Sequence, residues 1–392
     1  MSGRLLAAVL VFVSGCATSA PHAASTVGPS VAASGAPVTS SPTQGGTRSP
    51  EPSTSPVAKV AFSCRLPVIT YESGGDGITY QGGFITFPAG TYAADPNGAI
   101  NSVYQQGGFV TKQAPVLHGV IDSSASPFFD AGIGRWVPSG AGEASPDGSA
   151  YAYATIGASS SDGAVIHVVD VSSGVEKTYA WAAIPNVGAV SGVQVVDFDG
   201  ARGVYLVVNQ VEAWPVGVWR LDLTTGKVTA LARVGNVLGV SHGSAWSGAV
   251  DPHDPNPPRV PASRFLFDSI VQVNLATGES TPWYYTPGRS EFVLGLSTAG
   301  WPIVNISDGP DYPAYGGEVR LVPEPHVDGE SNGELVSNGP VVSNPRTDGD
   351  RTWFGSDSGI YLYTSGGGLQ KVFAFTPKPS TSRTMSPAGF CR

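Results

Sequence analysis

One pattern constrains this chain more than any other. An apolar strand is followed by a tight turn and a second strand, and the unit recurs at a fixed interval. Val165 to Tyr179 (VIHVVDVSSGVEKTY) is one copy, Val218 to Leu231 (VWRLDLTTGKVTAL) the next, and Ile270 to Trp283 (IVQVNLATGESTPW) the third. Each carries Asp or Asn four residues before Gly: Asp170 and Gly174, Asp222 and Gly226, Asn274 and Gly278. An Asp or Asn side chain bonds to the backbone of the turn, and Gly takes the positive-φ position that closes it. Gly174 to Gly226 is 52 residues, and Gly226 to Gly278 is again 52.

Weaker copies extend the series. Ile360 to Phe375 (IYLYTSGGGLQKVFAF) lies two shorter units further on, with Glu318 to His326 as the copy between, its turn glycine lost. Upstream, Phe128 to Trp136 has the same Asp-to-Gly spacing, at Asp130 and Gly134. Six hairpins at a period of 40 to 52 residues predict an all-β fold, a β-propeller, each hairpin forming the outer half of a four-stranded blade. Inner strand pairs are expected at Val193–Phe198 with Gly203–Val208 and at Phe292–Leu296 with Pro302–Ile306, and Arg351–Phe354 as a second strand. Six blades fit the count; residues 58 to 128 are long for half a blade and leave room for a seventh.

Before the first copy stands Ser145-Pro146-Asp147-Gly148, followed by alternating Tyr151 and Tyr153. This resembles the WD-like repeats of TolB-type propellers, in which that turn precedes the second strand of a blade. Thr384 to Cys391 reads as an inner strand with no successor, while Ile78–Tyr80 and Gly83–Phe87 are strands without a predecessor. One blade shared between the two ends of the domain solves both problems.

The first residues carry a different signal. Arg4, a short apolar run from Leu5, and Val13-Ser14-Gly15-Cys16 form a secretory leader of residues 1–15, about half the length of a transmembrane span. Its ending resembles a bacterial lipobox, which implies cleavage before Cys16, lipidation of that residue and a stable anchor. Residues 16–57 are rich in Ser, Thr, Pro and Ala and contain no aromatic residue; such a segment is expected to stay disordered, with a reach of roughly 35 Å. The remaining cysteines, Cys64 and Cys391, flank the globular part at 58–392. In an oxidising compartment they can pair and lock the ring. A reactive thiol or half of a metal site is the alternative, but no His is near either in sequence, and two cysteines do not complete a zinc cage.

Charged residues make up 13% of the chain and the net charge is −9, without any Lys/Arg run, which speaks against nucleic acid as a partner. HExxH, P-loop and CxxC motifs are all missing. Two loops carry candidate binding groups. Asp251, His253, Asp254 and Asn256 offer oxygen and nitrogen ligands to a divalent cation, although the five prolines of residues 251–261 also fit a rigid insertion facing water. Asp308, Asp311 and Tyr312 suit contact with a sugar or peptide. Both loops join a second strand to a third and are expected on one face. His242 lies where an inner strand would begin and is a candidate channel residue; His167 alternates within a strand and reads as structural. The tryptophans, about one per unit, read as packing between blades. The expected protein is a monomeric propeller, lipid-anchored on the outer face of a bacterial membrane, binding a protein, peptide or glycan. A hydrolase or lyase with its site at the channel mouth is the second reading, and a passive envelope spacer the third; no cofactor is implied beyond that cation.

Overall fold

A computed structural model describes residues 57–74, 77–101, 108–109, 121–122, 128–130, 134–137, 145, 149–156, 163–170, 172–173, 175–182, 184, 190–210, 216–232, 234–249, 267–308, 317–329, 332–375 and 382–392. Cys16 and the expected leader and tether lie outside them.

Among the described residues every element is a strand. β1 (Cys64–Gly74), β2 (Gly77–Phe87) and β3 (Thr91–Asn101) open the series. Two short pairs follow: β4 (Gly108–Phe109) with β5 (Ile121–Asp122), and β6 (Phe128–Asp130) with β7 (Arg135–Val137). The next sheet has three described strands, β8 (Ala150–Ile156), β9 (Ala164–Asp170) and β10 (Glu176–Trp181). Three antiparallel four-stranded meanders come next. They are β11 (Val190–Asp199), β12 (Gly203–Gln210), β13 (Val216–Asp222) and β14 (Val228–Ala232); β15 (Val237–Ser241), β16 (Ser244–Ala249), β17 (Ser269–Asn274) and β18 (Ser280–Tyr285); and β19 (Arg289–Leu296), β20 (Pro302–Asp308), β21 (Glu318–Leu321) and β22 (Glu334–Ser337). A fourth comprises β23 (Ser343–Asp348), β24 (Arg351–Gly355), β25 (Gly359–Thr364) and β26 (Gly368–Ala374). The last strand, β27 (Ser382–Pro387), pairs with β1, giving a sheet in the order β27-β1-β2-β3. The result is a six-bladed β-propeller whose first blade takes its inner strand from the far end of the chain.

The seam is held three ways. Val68 pairs with Pro387 and Ser73 with Ser382 across the strands. The amide of Arg65 donates to the carbonyl of Arg392 at 2.7 Å, and that of Ala388 to Pro67 at 2.9 Å. Cys64 and Cys391 form a disulfide with Cα atoms 5.4 Å apart, across 327 residues of sequence. The pairing expected in an oxidising compartment is therefore the one the fold makes.

The turn chemistry is local, as the repeat suggests. The carboxylate of Asp222 accepts the amides of Thr224 and Thr225 at 2.9 and 2.8 Å, and Asn274 does the same for Ala276 and Thr277 at 2.9 and 3.1 Å. Gly226 and Gly278 sit at φ 72° and 74°. Side-chain and amide donors at the turn hold the carboxyls of Asp170 and Asp222 at about 2.

Tryptophans pack between blades, Trp181 on Trp219 at 5.5 Å and Trp283 stacked on Trp301 at 5.8 Å, and within the fourth blade, Trp246 on Trp283 at 5.0 Å. Trp353 stacks on Phe87 at the closing seam. The indole N–H of Trp246 reaches the Gly300 carbonyl, and that of Trp283 reaches Val322, each in the next blade. A buried indole thus contributes both apolar area and a satisfied donor.

Two repeat assignments need correction. Phe128 to Trp136 is not the outer half of a blade: its hairpin, β6–β7, packs on the closing blade. Phe129 meets Phe84 edge-on at 4.8 Å, and the indole of Trp136 donates to Asp95 at 3.0 Å. Gly82 and Gly98 leave the space that this indole fills. The missing outer hairpin is β2–β3. The Glu318 unit is also longer than expected. Pro323 and Pro325 cannot donate to a ladder, so the chain leaves after β21 and returns only at β22. On the way His326 bridges the edge of the neighbouring blade, its amide donating to Trp283 at 2.6 Å and its carbonyl accepting from Tyr285 at 3.1 Å.

Candidate functional site

Of the sequence-predicted binding residues, Asp251, His253, Asp254, Asn256, Asp311 and Tyr312 lie outside the described residues. Their positions in the chain are clear: between β16 and β17, and between β20 and β21. Both are second-to-third connections of adjacent blades, which an antiparallel meander delivers to the same face. Asp308 is described; it ends β20 with an exposed carboxylate, 2.8 Å from the Arg289 guanidinium.

His242 belongs to the opposite face. It closes the inner strand β15 rather than beginning one, in the turn to β16, with φ 50° and an exposed ring. Its amide donates to Asp197 of the preceding blade at 3.0 Å, and its Nδ1 lies 3.1 Å from the Ser241 hydroxyl. Burial pushes the Asp197 carboxyl up, while the amides of Phe198 and His242 oppose the shift. These contacts join two blades and leave the ring at the surface.

His167 is buried within its own blade. Its Nε2 lies 3.0 Å from the Thr155 hydroxyl, its Nδ1 contacts the Glu176 carboxylate, and Tyr153 stacks on it at 4.4 Å. The Tyr153 hydroxyl also donates to Glu176 at 3.3 Å. Thr155, His167 and Glu176 form a hydroxyl–imidazole–carboxylate chain across β8, β9 and β10. Every member is committed to a neighbour, and the histidine is 4% exposed, which suits cross-strand packing.

The most unusual chemistry lies between the fourth and fifth blades, under the starts of the two loops. Alternation along β19 puts Arg289, Glu291 and Val293 on one side. Val293 packs in the core with Ile270 and Tyr284 of the fourth blade, so Glu291 faces the same interface. The backbone joins there too, the Glu291 amide donating to the Phe267 carbonyl at 2.5 Å. A ladder of charge runs across the fifth blade: Asp308 pairs with Arg289, Arg289 approaches Glu318 at 3.4 Å, and Glu318 pairs with Arg320. Arg320 also donates to the Gly333 carbonyl at 2.8 Å.

Glu291 stands outside this ladder. It is 1% exposed, and its polar neighbours are the Thr286 hydroxyl and amide. Burial raises its pKa well above the ordinary range, and the nearby Asp268 carboxyl adds to the shift; the Thr286 hydroxyl and amide and the Arg289 guanidinium offset it in part. Tyr284 is fully buried beside it, its phenol pushed up to about 12 by burial with a smaller contribution from Glu291. The expected inner strand began at Phe292 and stopped one residue short of this group. An acidic residue in phase with Val293 on an inner strand was the available signal.

No protein-family model matches the chain, and no curated protein does. Among solved structures, the chain is similar to the β-propeller domain of the Trilobed protease from Pyrococcus furiosus, with 11% identity over 80% of this chain and 86% of that one, TM-score 0.37. It is also similar to an oligogalacturonate lyase in complex with manganese, with 10% identity over 82% and 90% of the two chains, TM-score 0.41. For the acylaminoacyl peptidase of Pyrococcus horikoshii the values are 12% identity, 81% of this chain and 46% of that chain, TM-score 0.39. The chain thus spans less than half the length of that peptidase. These likenesses concern blade architecture and are silent on chemistry.

Proposed function

We propose that this protein is a lipid-anchored, extracytoplasmic binding module, with a leader at 1–15, a tether at 16–57 and a monomeric propeller at 58–392. Its partner is a protein, peptide or glycan at the bacterial cell surface, and nucleic acid is not among its ligands. One observation supports the binding role above others. The connection from Ala249 to Ser269 and that from Asp308 to Glu318 are long, whereas the equivalent step in the sixth blade runs only from Gly355 to Gly359. Adjacent blades therefore carry extra chain on one face, where a rigid scaffold presents loops for recognition. The anchor reading rests on Val13-Ser14-Gly15-Cys16. Mass spectrometry of the mature N-terminus tests it: a diacylated or triacylated Cys16 is expected, and Cys16→Ala should move the protein from membrane to soluble fraction. Capture from envelope extracts tests the binding role. A partner retained by the wild type and lost when 251–261 is replaced by a short Gly/Ser link supports it; identical recoveries overturn the loop assignment.

A second reading, an extracytoplasmic hydrolase or lyase, draws on Glu291. A buried carboxyl whose hold on its proton is strengthened by burial is the kind of group that serves as a general acid. Loss of turnover in Glu291→Gln, for any substrate the wild type cleaves, is its test.

A further inference from the structure

The closing seam carries a cover in addition to its three fastenings. Residues 57–63 precede β1 and belong to no strand, yet their burial alternates as it does along a strand. Lys59, Ala61 and Ser63 are exposed, whereas Val60 is buried and Ala58 and Phe62 are partly so. The inward face lies across the junction of the sixth and first blades. The Ala58 amide donates to the Lys371 carbonyl of β26 at 2.7 Å. Val60 shares one apolar cluster with Cys64, Cys391, Phe87, Trp353 and Val372. The Phe62 ring packs against the same cluster, meeting Trp353 edge-on at 6.1 Å, and the Arg351 guanidinium lies 4.5 Å from its centre. Within that cluster Cys64 and Cys391 are only 9% and 5% exposed.

We propose that residues 57–63 control thiol access to the Cys64–Cys391 disulfide. Exchange requires a thiolate to reach a disulfide sulfur, and a buried bond offers it no path. The hold on the cover is slight beside that on the strands. It rests on an amide, a valine and an aromatic ring, while β27 and β1 are paired from Val68–Pro387 to Ser73–Ser382. Local opening is drawn from such weakly held segments. Lifting residues 57–63 therefore uncovers the bond while the ring stays closed. A dithiol reductant can then attack. Its first thiolate bonds to one cysteine sulfur and breaks the S–S bond, and the other cysteine leaves as a thiolate that takes up a proton. Its second thiolate breaks the mixed disulfide, freeing the remaining cysteine, and the reductant departs as its own disulfide. Both cysteines end as thiols, and β27 is then held to β1 by hydrogen bonds and packing alone. The cover rests neither on the lipid anchor nor on the binding role, so either of those can fail while it stands.

The test uses the full chain under native conditions, with dithiothreitol as the reductant at pH 8. Alkylation of Cys64 and Cys391 after timed quenching, read by peptide mass spectrometry, gives the reduction rate. Val60→Ala and Phe62→Ala should each speed reduction by at least about tenfold. Gly226→Ala, which weakens a turn in the third blade far from the seam, should be reduced like the wild type. Reduction of the wild type should depend little on urea below the unfolding transition, because lifting a short segment exposes little surface. Equal rates for the wild type, Val60→Ala and Phe62→Ala overturn the proposal. So does an acceleration in Gly226→Ala that matches theirs, since the bond would then open by global unfolding. Should the two seam variants not fold, the wild type decides: a urea dependence as steep as that of equilibrium unfolding overturns the cover, and a flat one supports it.

Discussion

Glu291 shows how a single side chain can set a pH limit for a whole blade interface. Its carboxyl is raised in the folded state, so the protonated form favours folding. That contribution is complete below the unfolded carboxyl value of about 4.3 and is lost as pH rises through the higher folded value. The urea midpoint of the wild type should therefore fall relative to Glu291→Gln as pH rises from 4 to 9. Parallel curves would remove the titration from this site. A second residue-scale prediction concerns Gly248 on β16, where an added Cβ would overlap the Phe267 ring. Both residues are buried, and Phe267 carries the carbonyl that accepts the Glu291 amide. Gly248→Ala should cost about 1–3 kcal/mol as an overpacking change, measured by urea unfolding. Neither effect was legible in the sequence. Glu291 acquires its surroundings from residues 268 to 320, contributed by two blades, and alternation within one strand says nothing about what stands opposite.

The repeating hairpin is the element that sequence revealed best, because everything that makes it is local. An Asx side chain, two turn amides and a positive-φ glycine lie within five residues. Gly226→Ala tests the glycine itself. A Cβ there would meet only the Tyr179 ring, at 3.5 Å, so steric space is ordinary and the backbone conformation carries the cost. The expected loss is about 1 kcal/mol, with partial recovery in Gly226→Asn, since Asn tolerates the left-handed region better. Equal stability of wild type and Gly226→Ala would show that the turn relaxes. The same locality explains the two misassigned units. An Asp-to-Gly spacing marks any tight hairpin, so β6–β7 carried it without being part of a blade. What distinguishes β6–β7 is tertiary: the space above Gly82 and Gly98 that Trp136 fills. Conversely, Glu318 to Ser337 is a blade hairpin whose turn signal was lost, because its two strands are separated by a detour that bridges the neighbouring blade at His326.

For the molecule as a whole, the decisive feature is closure. It was readable in outline, because strands without partners at both ends of a repeat array imply one another. The disulfide follows the same logic at the seam. Its loop of 327 residues corresponds to roughly 6 kcal/mol in the chain-entropy view. Cys64→Ser, Cys391→Ser and the double variant should lose similar stability, and hydrogen exchange should quicken first in β1 and β27. Uniform acceleration across all six blades would mean that the ring opens as a unit instead. The loops that distinguish the fourth and fifth blades were located by position alone, since proline-rich insertions report where a connection is long and not what it touches.

The pairing of β27 with β1 also sets an order of events. The innermost strand of the first blade is the last of the six blades to be synthesised, after more than 300 residues of its partners have emerged. Until then the nascent molecule is an open arc with an unpaired strand edge at one end, competent to pair with whatever edge it meets. Completion of the circle, and with it protection from proteases and from other copies of the same arc, becomes a post-synthetic step governed by the slow search for a distant partner.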